Sequence, residues 1–190
     1  LYSDLHGFLQ ELKLRKGVGA RSLEFIILTG SRTRPLLMAR WEDIDFENDI
    51  WNCPEGNMKS GKFFRIPLSE PAMKIVNNQK KHSRGEYIFG HEQTGKMSSN
   101  NCMLYTIYRM GYKGKVTTHG MRSTMRDWAG ETTKYSERIV EVCLDHTVNT
   151  AAEAAYQRGD YLAKRREIMD GWGRFCYPIK NNIEEKSLEA

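Results

Sequence analysis

Between residues 41 and 68 the apolar pattern of this chain changes period. In "WEDIDFENDIWNCP" the apolar residues Ile44 and Phe46, then Ile50 and Trp51, flank Glu47, Asn48 and Asp49. Strand-like runs separated by turn-forming polar residues predict a β-hairpin. "KFFRIPL" (62–68) predicts a third strand, reached through the loop "EGNMKSG". Before and after this stretch the spacing is helical. Leu5, Phe8, Leu9 and Leu12 mark a first helix over 3–15, and "RSLEFIILTG" marks a second, largely buried one stopped by Gly30. Pro35 suits the first turn of a short helix running through Arg40. Further helices are expected at about 71–81, 99–110, 121–131, 136–144, 151–157 and 161–175. The fold class this predicts is mainly α with a small three-stranded antiparallel sheet.

The 190 residues fit one domain, and no linker or repeat divides them. With 39% hydrophobic and 28% charged residues, the balance is globular rather than disordered. No apolar run approaches the ~20 residues of a membrane span, and no signal-peptide pattern opens the chain. Cys53, Cys102, Cys143 and Cys176 form no CxxC pair and read as reduced thiols of a cytosolic protein. A net charge of +5 permits a polyanionic partner without requiring one. "LYSDLHGFLQ" opens mid-helix without a methionine, so a fragment or processed chain is expected. The domain is expected over 1–177, with 178–190 a tail that is flexible or, at "KSLEA", vector-derived.

Several polar residues stand at element boundaries. "LTGSRTRP" places Arg32 and Arg34 in a turn, where arginines are usually just solvated. "THGMR" sets His119 and Arg122 on one face at a helix start, where free N–H groups suit a phosphate. A histidine cap beside a surface arginine is the ordinary alternative. Lys59 and Lys62 lie in the loop entering the third strand, a common place for lysine. In "LDHTVNTAAEAAY", Thr150 and Glu153 form a capping box for a thin, Ala-rich helix carrying Tyr156, with His146 just before it. Tyr156 is either the anchor that docks this helix or a group with a chemical task. Cys143 and His146 have a metal-like spacing, but no second pair completes a zinc site.

Taken in order, Arg, Lys in a hairpin loop, H-x-x-R, His, then Tyr ten residues later, the chain resembles the catalytic domain of tyrosine recombinases. More narrowly, it resembles phage and genomic-island integrases over roughly residues 20 to 175. "LTGSRTRPLLMARWEDIDFENDIW" is similar to the family's first arginine box, "MKSGKFFRIPLS" to its lysine hairpin and "RMGYKGKVTTHGMRST" to its second box. "AAYQRGDYLAKRREIMDGW" is similar to the nucleophile helix and last helix of integrases that insert islands at tRNA genes. The resemblance makes Arg32, nine before Trp41, the first arginine, and Lys59 the hairpin lysine, with Lys62 as fallback. It makes His119 and Arg122 the H-x-x-R pair, His146 the following histidine and Tyr156 the nucleophile, with Tyr161 a distant second. One position departs. Pro35 stands where the family usually has an acidic residue, three after the first arginine. Support for Arg32 is then missing or supplied from elsewhere, and Arg34 becomes a competitor for the phosphate.

The chemistry implied is metal- and ATP-independent transfer of a DNA phosphodiester onto a tyrosine and back, with no cofactor. A phenol of pKa ~10 needs help to attack at neutral pH. Two guanidiniums supply it by gripping the non-bridging oxygens. Lys59 would protonate the leaving 5′-oxygen, and His119 and His146 would bind the phosphate or move the tyrosine's proton. The partners implied are double-stranded DNA attachment sites, a recombinase tetramer on that DNA and excision or architectural accessory proteins, with no membrane. The location implied is the bacterial cytoplasm, at the nucleoid. A type IB topoisomerase, a non-catalytic DNA-binding regulator and a zinc-dependent nuclease are the alternatives.

Overall fold

The computed structural model describes residues 2–146 and 159–178. Helix α2 (Val18–Thr29) is the axis of the molecule, with nearly every residue buried. A helix that is apolar on all sides must be covered on all sides. Helices α1 (Leu5–Lys13), α3 (Thr33–Leu37), α4 (Glu70–Lys80), α5 (Cys102–Arg109), α6 (Gly120–Thr132) and α8 (Leu162–Cys176) all pack against it. α7 (Glu137–Cys143) lies between α6 and α8. At Gly19, any Cβ would stand 2.6 Å from the carbonyl oxygen of Cys102, so a side chain there would push α5 off α2. Trp172 of α8 is fully buried, donates to the Ile27 carbonyl at 2.8 Å and stacks with Phe175.

The strands β1 (Ile44–Asp45), β2 (Ile50–Cys53) and β3 (Phe64–Pro67) form one antiparallel sheet in that order, with Ile44 opposite Trp51 and Trp51 opposite Ile66. Trp51 presses on Phe25 of α2 with ring centroids 5.6 Å apart, which fixes the sheet to the core. The expected fold class is the observed one. The hairpin turn is held by the Asp45 carboxylate, which accepts from the N–H groups of Glu47 and Asn48.

Most departures from the expected boundaries have an identifiable contact behind them. The helix expected to run through Arg40 ends at Leu37, because Arg40 is extended and bridges to Tyr87. α2 starts at Val18, earlier than expected, where the Glu92 carboxylate accepts from the Val18 N–H at 2.9 Å. α5 starts at Cys102 rather than 99, since Met97 bridges to Gly90 and the Ser98 hydroxyl is bonded to the Phe89 carbonyl. Phe46 falls outside β1 and stands exposed, its ring under the Lys80 ammonium. The helix expected at 151–157, its Thr150–Glu153 cap and the tail beyond Pro178 lie outside the described residues.

Candidate active site

The C-terminal end of α2 starts the site. Gly30 closes the helix in the left-handed region (φ 59°), its N–H bonded to the Ile26 carbonyl. A Cβ at Gly30 would meet the Leu144 Cδ2 at 2.7 Å, so a side chain there would force Leu144, in the turn after α7, to shift. Arg122, from the first turn of α6, enters that contact. Its Nε donates to the Gly30 carbonyl at 2.8 Å and its Nη2 to the Leu144 carbonyl. The side chain is 4% exposed, and its Nη1 is buried without a hydrogen-bond partner. Burial, then the neighbouring charge of Arg32, lowers the Arg122 pKa to about 10, against the pull of Asp145 and Glu141. It therefore stays charged at neutral pH.

Arg32 comes to the same place from the other direction. It is the residue before α3, with extended backbone, and its guanidinium ends on one residue twice. Nη1 pairs with the Asp145 carboxylate and Nη2 donates to the Asp145 carbonyl at 2.9 Å. Asp145 sits in the left-handed region (φ 50°), just after α7. His146 follows, with Nδ1 against the Glu141 carboxylate and its backbone N–H bonded to the Glu141 carbonyl at 3.0 Å. Arg32, Arg122 and His146 are thus gathered around the end of α7, from positions far apart in sequence.

The other expected residues stand around this centre with less definition. His119 is exposed at the start of α6; the cap there is the Thr117 hydroxyl, which accepts from the Gly120 N–H at 2.9 Å. Lys59 and Lys62 are exposed in the loop between β2 and β3. Met58, the residue before Lys59, is buried in a small cavity also lined by Arg32, Pro35, Phe64 and Asp145, so the base of the lysine loop adjoins the Arg32 site. Arg34 points to solvent, and Pro35 is buried. Tyr161 is half-buried against the core at the start of α8. Tyr156 lies outside the described residues. Cys143 and His146 turn to different partners. The Cys143 thiol is buried against Arg165, and burial pushes it up to about 11.

Sequence reasoning missed three acidic residues here. Asp145 and Glu141 carry the only hint available, acidity beside a histidine, and their partners are named by the fold alone. Asp160 is the third. Arg65 of β3 grips its carboxylate with Nε at 2.9 Å and Nη2 at 3.0 Å. Arg165, fully buried in α8, donates to the Asp160 and Arg65 carbonyls and lies 4.3 Å from the Phe64 ring centroid. Burial raises the Asp160 carboxyl, but Arg65, Arg165 and the Leu162 N–H together outweigh it and hold the pKa below the ordinary value. This cluster ties the residue four after Tyr156 to the sheet that carries the lysine loop.

Two guanidiniums that meet at one spot, with a carboxylate balancing one of them, suit a tetrahedral oxyanion. Among the described residues, no group of three or more His, Cys, Asp and Glu side chains is placed to hold a metal ion, and no helix is long and apolar enough to cross a membrane.

The profile of the Phage integrase family matches residues 6–161. Prophage integrase IntA of Escherichia coli (strain K12) is 30% identical over 77% of this chain and 36% of its own length. Prophage integrase IntZ of the same strain is 29% identical over 90% of this chain and 42% of its own length. The chain thus spans about two fifths of the relatives it matches. A lambda integrase tetramer bound to a Holliday junction superposes with a TM-score of 0.60 at 18% identity, covering 81% of this chain and 46% of that one. The lambda integrase catalytic core gives 0.58 at 17% identity, covering 78% of this chain and 91% of that one. These likenesses establish the fold.

Proposed function

Since the chain belongs to the phage integrase family, we propose that it is the catalytic domain of a site-specific DNA recombinase acting through a covalent 3′-phosphotyrosine. The observation that carries this reading is the meeting of Arg32 and Arg122 at the end of α7, directly before His146. A scissile phosphate held there would have one non-bridging oxygen facing each guanidinium. The Arg122 Nη1, buried without a partner, is a donor such an anion would satisfy.

In the first step the Tyr156 oxygen attacks phosphorus and forms the Tyr–O–P bond as the P–O5′ bond breaks. The phenolic proton passes to His146 or water. The departing 5′-oxygen takes a proton from Lys59, which the loop between β2 and β3 carries. Arg32 and Arg122 bear the negative charge that builds on the crowded phosphorus, the charge-neutralising task metal ions fill in many phosphoryl transfers. Attack by a second 5′-hydroxyl reverses the step on a new strand. The ester's bond energy is conserved, so no nucleotide is consumed. His119 serves as a further donor to the phosphate.

On this reading the substrate is double-stranded DNA at attachment sites and the working unit is a tetramer on that DNA, in the cytoplasm at the nucleoid. Accessory proteins would bias excision over integration. The domain would cover 1–177. The test is a nicked suicide duplex of the element's own core site, incubated with the full-length protein. A covalent adduct that maps to Tyr156, forms in EDTA and is lost in Tyr156→Phe is expected. An adduct on Tyr161, or cleavage that requires added magnesium or zinc, overturns the assignment.

A further inference from the structure

Arg32 has no carboxylate on its own helix, because the position three after it is the buried Pro35. Its carboxylate comes instead from a segment over a hundred residues away. Both terminal nitrogens of the guanidinium end on Asp145, one on the carboxylate and one on the backbone carbonyl. A double contact of that kind fixes the plane of the guanidinium as well as its position. It leaves the remaining N–H groups of Arg32 for another acceptor.

The backbone at Asp145 adds a second argument. With φ 50°, this residue occupies the left-handed region, where glycine is cheapest and aspartate is tolerated. The turn itself would be better served by glycine, so the carboxylate has its use elsewhere. Its visible use is Arg32. A third argument is electrostatic. Arg122 is buried beside Arg32, and two guanidiniums brought together without an anion repel. Asp145 supplies the anion before any phosphate arrives.

We infer that Asp145 is a positioning residue: from the turn after α7 it orients Arg32 and offsets its repulsion with Arg122, so that both arginines meet one phosphate. The inference rests on reading Arg32 as a phosphate ligand, and the experiment separates the two. The full-length protein is given a nicked suicide duplex of its own core site, in excess of protein over DNA, and single-turnover cleavage is followed. Asp145→Gly keeps the turn and removes the carboxylate. It is expected to slow cleavage about 30-fold, the range for a hydrogen bond to a charged group, while affinity for the duplex changes by less than about twofold, since one phosphate contact is a small part of DNA binding. Its melting temperature is expected to change little, because a left-handed turn favours glycine while the Arg32–Arg122 repulsion is no longer offset. Asp145→Asn keeps an oxygen acceptor and is expected to recover part of the rate.

The deciding arm is the double variant. Arg32→Ala/Asp145→Gly is expected to cleave no more slowly than Arg32→Ala alone, because Asp145 acts through Arg32. Losses that multiply overturn the inference, as does an Asp145→Gly protein faster than the parent, which makes the carboxylate a competitor of the phosphate. An Arg32→Ala protein that cleaves at the parent rate instead removes the reading of the site itself.

Discussion

Among the described residues two arginines are buried almost completely, and they are buried differently. Arg165 has its counter-charge: the Asp160 carboxylate stands 3.7 Å away, with the Phe64 ring, the Asp160 and Arg65 carbonyls and the Cys143 thiol around it. Its Nε, like the Arg122 Nη1, is nevertheless buried without a hydrogen-bond partner. Arg122 is tied by two helix-end carbonyls, faces the like charge of Arg32 and keeps a buried nitrogen without a partner. Burial lowers the pKa of both. A buried cation that has its counter-charge holds a structure together; one left beside another cation stores a demand for an anion. The counter-charge, not the unpartnered nitrogen, is what distinguishes the two.

Substitution by an apolar residue of similar length gives the sharpest break. Arg122→Met is expected to reduce cleavage of the suicide duplex by ~10²–10³-fold, the loss seen when one oxyanion donor is removed. The protein should remain folded and still bind DNA, because relief of the Arg32 repulsion offsets the loss of two carbonyl bonds. Circular dichroism and single-turnover cleavage check this together. A folded Arg122→Met protein that cleaves normally would put the two arginines in one class.

Arg165→Met is expected to do the reverse. It strands the Asp160 and Arg65 carbonyls and part of the Asp160 charge, at a cost of about 2 kcal/mol. For a domain of this size that lowers the melting temperature by ~4–8 °C. A thermal melt that does not move would mean that the Arg165 cluster is not a fastener. Arg65→Ala tests the rim of the same cluster. The Arg65–Asp160 pair is over a third exposed on both sides, so screening leaves about 0.5–1 kcal/mol in it despite the bidentate geometry.

The smallest expected effect is the pH dependence of that pair. The folded pKa of Asp160 lies below the ordinary value of 3.8. Its contribution is therefore complete above 3.8 and is lost as the pH falls through the folded value. Melting of Asp160→Asn against the parent should show a gap at pH 6 that narrows toward pH 3. A gap that widens on acidification would reverse the sign of the shift.

Much of the fold was legible because its signals are local. Apolar residues at helical spacing place most helices within a few residues, and one change of period places the sheet. Gly30 was readable as a stop, since a left-handed cap favours glycine. The ends that moved were set by partners distant in sequence: Glu92 at the start of α2, Tyr87 beside Arg40. Side-chain periodicity carries no record of such pairings.

The site divides along the same line. That Arg32, Arg122, His146 and Tyr156 matter was argued from the order of residue types along the chain and its resemblance to tyrosine recombinases, which survive without coordinates. That Arg32 is balanced by Asp145, 113 positions away, was beyond any sequence pattern, as was the seating of Arg122 between two helix ends. Pro35 emptied the local position where a partner was expected, and the sequence by itself ended there. Only the packing of α7 against α6 and α8 decided which acid filled the role. Charge partners are chosen by distance in space, and distance in space is what the folded core sets.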